Sequence, residues 1–499
     1  MTRFPLSPLQ VRLLLATAAL SSAVGLVLEL MLVTQASYLV GDAALATGVV
    51  VGTFLAAMGL GAWVSQFVGT NSNGSDDPPR LLRVFLLVEL ALSPLCLLAP
   101  LVLVTPMVGV LGGMKLPLIT RLLQGQQALR TALARALALD YAGALVGSLL
   151  FPLLLLPWLG LLPTAGLLAL VPLLSSMALC WAFPSCRSWR WAVSALLPLG
   201  SAAALAIAPL GNRIENDLYD DPVVSRLQTR HQRIVLTRRR DDLRLYLDGQ
   251  LQFSSLDEYR YHEALVHPAM AFHPTPRRVL LLGAGDGLAL RELLRWPQLR
   301  RIDLVELDPQ MLRLARRHPF LRRLNGDSLA DPRVVVHTGD AFDLVRRLSG
   351  GYDVVIADFP DPSTAALARL YSLAFYGRLL GHLAPGGVIV TQASTPFFTP
   401  KVLASIEATF QALSLKTKPY SVDVPSFGPW GFVLAHRPGQ ELVAQPLPFQ
   451  GRWFGPDQLD GLFQLAPDLR PPPGQPVLPN RLMRPVLVEY QRQSRWKGP

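Results

Sequence analysis

Long apolar stretches dominate the first 210 residues. They predict membrane-type helices at about 12–36, 43–69, 81–104, 105–122, 136–159, 161–183 and 189–209. Each approaches the roughly 20 residues a helix needs to cross hydrocarbon. Because further spans follow the first, it is not a cleavable leader alone. Gly and Ala recur at close intervals, as in "GTFLAAMGLGA", which suits helices packed tightly in lipid. The count stays at six or seven. Residues 105–122 contain Lys115 and Arg121, and no polar loop separates them from 81–104.

The pattern changes further along the chain. "RIVLTRRRDDLRLYLDGQLQFSS" (233–255) alternates and turns like β-hairpins. From 277 strands and helices alternate: "RRVLLLGAG", then the helical "LALRELLRW", then "RIDLVELD" and "PQMLRLARRH". "RVVVHTGD", "YDVVIAD" and "GGVIVTQA" are three more strands, and "GPWGFVLAHR" (428–437) reads as a late antiparallel one. Near-continuous apolar strands between helical periods predict a parallel sheet covered on both faces. The expected fold is an α-helical multi-pass membrane bundle (1–210), a linker and β-hairpin subdomain (211–255), a Rossmann-like sheet domain (256–440) and a C-terminal tail (441–499).

Charge sharpens this division. Residues 1–210 hold ten Lys/Arg and six Asp/Glu, against 46 and 35 in the whole chain. The net charge of +11 therefore does not imply nucleic acid. The front arginines flank apolar runs, as loop residues at a membrane do, and no basic-aromatic stripe appears behind them. Arg3 and Arg12, Arg80 and Arg83, Arg130 and Arg135, and Arg187 and Arg190 fall on alternate loops if there are seven spans. The positive-inside rule would then place the sheet domain outside, whereas six spans would return it to the cytoplasm. Glu29, Glu89 and Asp140 lie within apolar spans. They are either packing residues with partners or part of a cation path. Cys96, Cys180 and Cys186 lack C-x-x-C spacing, and the eight histidines show no ligand spacing, so no metal site is expected.

The sheet domain holds the chemistry. Open α/β sheets bind ligands beyond the carboxyl ends of their strands. There stand Gly283, Gly285 and Gly287 after the first strand, and Glu306 after the second, where an acid can take ribose hydroxyls. Asp340 follows the third, at the adenine edge of a nucleoside. Asp358 ends the fourth, in "YDVVIADFPDPS", with Asp361 three residues on between Pro360 and Pro362. Two carboxylates on one stiff turn suit a cationic guest. Asp286 sits within the glycine turn itself. It would repel the carboxylate of intact S-adenosylmethionine and attract the ammonium of its decarboxylated form. Its local alternative is a turn residue satisfying backbone amides.

Residues 229–437 resemble the spermidine synthases, the polyamine aminopropyltransferases. The matching pieces are "HQRIVL", "LYLDGQLQFSSLDEYRYHEALVHPAM", "VLLLGAGDGLALREL", "LVELDP", "GDAFDLV", "YDVVIADFPDP", "LYSLAFYGRL" and "GPWGFVLA". With its apolar front and "NRLMRP" near 480, the chain looks like the membrane-embedded bacterial subgroup. The resemblance implies transfer of an aminopropyl group from decarboxylated S-adenosylmethionine, a co-substrate, to putrescine or a similar diamine, with no cofactor. It implies donor contacts from Gln232, Gly283, Gly285, Asp286 (aminopropyl amine), Glu306 (ribose), and Asp340 and Ala341 (adenine). It places Gln252, His262 (beside Tyr261) and Asp361 at the acceptor, with Asp358 as proton acceptor. The chain departs from the family where Phe359 and Pro360 replace hydroxyl residues beside the base, and where the following loop lacks Gly and Pro. The expected partners are the diamine and the lipid bilayer, at the cell membrane, with the catalytic domain cytoplasmic. A homodimer through the sheet domain stays open. Two other readings also stay open: a methyltransferase using intact S-adenosylmethionine, and a membrane polyamine sensor or carrier without turnover.

Overall fold

The computed structural model describes residues 6–40, 43–71, 75–99, 104–124, 128–472 and 474–494. Arg3 and the last residues of the 81–104 stretch lie outside them. The chain divides into two compact units, Met1–Asp220 and Asp221–Pro499.

The first unit contains seven long helices among the described residues: α1 (Pro8–Val40), α2 (Ala43–Val64), α3 (Pro78–Leu97), α4 (Thr105–Gln124), α5 (Leu129–Leu150), α6 (Leu161–Ala182) and α7 (Arg190–Asn216). Among the described residues six stretches are, by length and composition, apolar enough to cross a membrane, and α3 is the long helix left out. The sequence places its doubt on 105–122 instead. The structure moves that doubt to α3, because α3 carries Arg80, Arg83 and Glu89 within its 20 residues. Lys115 does not disqualify α4, because it has a partner. Its Nζ lies 3.0 Å from Glu89 Oε1 of α3, and Ser21 of α1 bonds to both groups. Glu89 is therefore a paired packing residue, and removing one member of such a buried pair costs about 3–5 kcal/mol. Asp140 is hydrogen-bonded by Ser22.

Small residues set the helix spacing. A Cβ on Gly113 would fall 2.0 Å from the Met58 carbonyl oxygen, and one on Gly143 2.0 Å from that of Ala19. Helices α2 and α4, and α1 and α5, thus meet backbone to backbone. Large apolar side chains such as Leu55, Trp63, Leu145, Trp158 and Leu205 face outward.

The second unit opens with an antiparallel sheet of β1 (Val223–Gln228), β2 (Arg233–Arg239), β3 (Asp242–Leu247) and β4 (Gln250–Ser254). Helix α8 (Glu258–Ala271) follows. A seven-stranded sheet comprises β5 (Arg278–Gly283), β6 (Arg301–Glu306), β7 (Val334–Thr338), β8 (Tyr352–Asp358), β9 (Leu383–Gln392), β10 (Lys416–Val424) and β11 (Gly428–His436), in the order β10-β11-β9-β8-β5-β6-β7. Strands β5 to β9 pair in parallel. Strand β11 is antiparallel to both neighbours, β9 and β10. The helices of this unit include α9 (Leu288–Leu294), α10 (Pro309–Arg317), α11 (Leu373–His382), α12 (Pro400–Gln411) and α13 (Val486–Arg492).

Two cores explain the unbroken apolar runs. Val354 and Ile356 of β8 pack in one core with α8, α9 and α10. Val355 and Ala357 pack in the other with α11, α12 and α13. Alternate residues of the strand are buried on opposite faces, so none can be polar until the strand ends.

Candidate active site

Strand order reverses beside β5: β6 and β7 lie to one side, β8 and β9 to the other. Such a switch point leaves a crevice beyond the carboxyl strand ends. Gly283 and Asp358, the last residues of β5 and β8, are register partners there. Gly283 has φ +81°, and a Cβ on it would sit 2.0 Å from the Asp358 carbonyl oxygen. The turn is anchored from the side. Asn325 Nδ2 donates to the Asp286 carbonyl (2.8 Å), and Ser328 Oγ to that of Gly287 (2.7 Å).

Around this turn the structure gathers several titratable groups. Tyr261 Oη donates to Asp358 Oδ1 at 2.5 Å. One residue along α8, buried His262 directs Nδ1 at the Glu258 carbonyl (2.8 Å) and carboxylate (2.9 Å). Arg291 pairs with both Glu258 oxygens at 2.9 Å. Burial opposes the imidazolium, but Glu258, then Asp286 and Asp358, carry the His262 pKa up to about 9. Burial also pushes Asp358 up to about 6, against the pull of His262 and Tyr261 and with a push from Asp286. Burial raises Asp286 too, while His262 opposes. Asp286 Oδ1 accepts from Leu288 N (2.9 Å), so its local turn role is real.

The neighbouring strand ends carry further acids. Glu306 Oε1 accepts from Asp308 N (2.9 Å). Burial pushes Glu306 up to about 7, Asp308 and Asp286 adding to the rise. A Cβ on Gly285 would meet Glu306 Oε2 at 2.6 Å, so that residue lets turn and acid touch. Gln232, at the end of a hairpin turn, donates to Asp308 Oδ2 (3.1 Å) and so reaches the same edge. Asp340 caps the short helix that begins at Ala341, accepting from Phe342 N (2.9 Å), and Arg369 pairs with its other oxygen. Gln252 is not joined to this group. It lies on β4, and its amide donates locally to the Gln250 carbonyl (3.2 Å).

Asp361 has different surroundings. Its Oδ1 faces Gln392 Nε2 (3.4 Å), and Oδ2 accepts from Ser394 Oγ (3.0 Å) and Gln491 Nε2 (3.0 Å). Burial raises its pKa, and these three neutral donors oppose. Buried Tyr371 donates to the carbonyls of Phe359 (3.1 Å) and Pro360 (3.0 Å), and Gln392 Nε2 donates to Phe359 O (2.6 Å). The aspartate turn is therefore clamped from two sides. Sequence reasoning missed Tyr371, Gln392, Ser394 and Gln491, and named Tyr261 only as a neighbour of His262. Gln392 ends β9, so the strand-end rule could have found it. Tyr371 and Gln491 had no local signal.

Glu263, His267 and Glu292 place ligand-type atoms within 4.8 Å of one another, with His267 Nε2 3.3 Å from Glu292 Oε2, and the two carboxylates already have protein partners. Glu263 accepts from the backbone N–H of Arg452, Trp453 and Phe454. Glu292 pairs with Arg291 and Arg295, and His267 Nδ1 accepts from Trp296. Two arginines already supply the positive charge a metal would bring.

Residues 258–443 match the spermine/spermidine synthase domain. Over 97% of its length the chain is 39% identical to polyamine aminopropyltransferase 2 of Ralstonia nicotianae, covering 98% of that protein. It is 40% identical to polyamine aminopropyltransferase 1 of Streptomyces coelicolor, over 97% of this chain and 94% of that one. A crystal structure of a spermidine synthase in complex with the transition-state analogue AdoDATO aligns with a TM-score of 0.45 and 25% identity. That alignment covers 49% of this chain and 85% of that one.

Proposed function

The chain belongs to the polyamine aminopropyltransferase family, and on that premise we propose a membrane-bound enzyme that transfers the aminopropyl group of decarboxylated S-adenosylmethionine to putrescine. The products are spermidine and methylthioadenosine. The observation that carries this reading is the trio Asp286, Asp358 and Asp361 around one pair of strand ends. These acids suit a donor and an acceptor that both bear ammonium groups, and they disfavour a donor that bears a carboxylate.

In this reading Glu306 takes the ribose, with Gln232 bracing the edge through Asp308, and Gly283 and Gly285 admit the nucleoside. Asp340 and Ala341 flank the adenine, which Arg369 must share or leave. Asp286 holds the aminopropyl ammonium. Asp361 holds the far ammonium of the diamine. Aliphatic amines have pKa values near ~10.4 by analogy with lysine, so the site must free a lone pair. The nearby sulfonium lowers the amine's pKa. The amine nitrogen then attacks the methylene beside sulfur, the C–S bonding pair goes to sulfur, and the thioether leaves. Before that attack Asp358, oriented by Tyr261, takes the proton whose loss frees the lone pair, and the product nitrogen keeps its two remaining protons as a secondary ammonium. His262, a cation in this setting, serves by favouring the anionic forms of Asp286 and Asp358 rather than by touching an ammonium.

Six apolar stretches, outward-facing leucines and tryptophans, and glycine-mediated helix contacts support burial of the first unit in the cell membrane. Purified full-length protein, given decarboxylated donor and a diamine panel, should yield spermidine and methylthioadenosine by mass. A methylated product formed from intact S-adenosylmethionine would overturn the reading.

A further inference from the structure

Helix α13 lies beyond residues 258–443, the part that matches the family domain, yet it reaches the carboxylate turn. Gln491 Nε2 donates to Asp361 Oδ2 (3.0 Å), and the same amide lies 3.3 Å from Ser394 Oγ. The helix is held firmly enough to place that side chain. Val486, Leu487 and Tyr490 are buried in the core shared with α11 and α12. The preceding tail grips both ends of the segment after the turn. Asn480 Nδ2 donates to the Ala368 carbonyl (2.7 Å), and Leu373 N to that of Asn480 (2.9 Å). Thr409 Oγ1 accepts from Asn480 N (2.9 Å).

The bonding around Asp361 is uneven in charge. All three of its donors are neutral, and no Lys, Arg or His pairs with it among the described residues. These neutral donors oppose the rise that burial gives the Asp361 pKa but bring no counter-charge, so a cationic ligand would find the carboxylate unpaired by any cation. Gln491 and Ser394 both donate to Oδ2, so part of that oxygen's surroundings is taken up by the Gln491 amide. From this geometry we propose that Gln491 sets the length of the diamine acceptor, closing the Asp361 end of the site. The inference rests on Asp361 receiving the far ammonium, as proposed above. The attacked end of the diamine is fixed at Asp358. A longer chain must therefore displace the Gln491 amide, and a shorter one fails to reach both carboxylates.

The test is steady-state kinetics of purified full-length protein with decarboxylated donor and linear diamines of three to six carbons. Gln491→Ala removes both bulk and hydrogen bond. It should raise KM for the best wild-type diamine about ten- to a hundredfold, the usual range for a hydrogen bond to a charged group. It should also shift the kcat/KM ratio at least tenfold toward the next longer diamine. Gln491→Leu keeps the bulk and loses the bond, so KM should rise with the length preference kept. Gln493→Ala, two residues on and bonded to Lys401, should match wild type. Methylthioadenosine affinity by calorimetry should stay constant in all three variants. An unchanged length ratio in Gln491→Ala overturns the inference, as does an equal loss for every diamine accompanied by weaker nucleoside binding. Wild-type protein that transfers to no diamine overturns the functional reading beneath it.

Discussion

In the proposed mechanism Asp358 has to be anionic to accept a proton, yet it stands among other acids in a partly buried turn. His262, whose cationic form Glu258 favours, and the Tyr261 hydroxyl both favour that anion. Burial still leaves its pKa at about 6, and Glu306 titrates at about 7 beside the donor edge. The sign follows directly. Both carboxyls are raised, so their anionic forms are lost as pH falls through those values, and kcat/KM should fall on the acid side between about 7 and 6. Cationic substrates stabilise the Asp358 carboxylate, so the acid limb of kcat should lie lower than that of kcat/KM. Asp358→Asn keeps the size and removes the proton acceptor. It should lower kcat about 10²–10⁴-fold with donor affinity unchanged. Raising the pH toward the amine pKa should partly restore turnover, because more acceptor is then neutral. Rate profiles of wild type and variant from pH 5 to 10 check both statements, and normal turnover by Asp358→Asn would reduce the aspartate pair to an electrostatic clamp.

At the scale of elements, the site is made by strands that stop together. Gly283 and Asp358 end β5 and β8 in register, which allows a glycine turn and an acid to share one crevice. Gly283→Ala should cost about 1–2 kcal/mol for its left-handed backbone alone, and its Cβ would also push on the Asp358 carbonyl. The expected outcome is a lower melting temperature together with weaker methylthioadenosine binding; an unaltered affinity would mean that this register does not shape the nucleoside site. The parallel strands were legible in the sequence because both faces are buried, which forces unbroken runs such as Val354-Val355-Ile356. Strand β10 was not. It is the edge strand of the sheet, and "KTKPYSVDV" mixes lysines with Pro419, a residue that edge positions tolerate. The acids at strand ends were legible for the same reason as the strands. Tyr371 and Gln491 were not, since they lie outside the strand ends and reach the turn only through tertiary packing of their segments. Gln252 was located by a motif match alone, and in the folded hairpin its amide bonds to the Gln250 carbonyl.

At the scale of the molecule, an apolar helical unit precedes a charged sheet unit, and the proposed donor is a nucleoside made inside cells. The sheet unit should therefore face the cytoplasm, despite arginine pairs on alternate loops, each of which adds only two charges. Cys96, Cys180 and Cys186 are buried, so a cysteine introduced by Ala412→Cys at an exposed position should report alone. It should resist a membrane-impermeant thiol reagent in intact cells and react after lysis; labelling in intact cells would reverse the orientation. The central claim is that acids at the strand ends select a donor carrying ammonium and no carboxylate. Calorimetry of the full-length protein with decarboxylated and intact S-adenosylmethionine tests it most directly, in wild type and in Asp286→Asn. That substitution removes the charge and keeps an oxygen for the Leu288 N–H. The account predicts that wild type prefers the decarboxylated donor and that Asp286→Asn narrows the preference at least tenfold from both sides, weakening one ligand and strengthening the other. Equal affinities in wild type, or a preference that Asp286→Asn leaves unchanged, would contradict it.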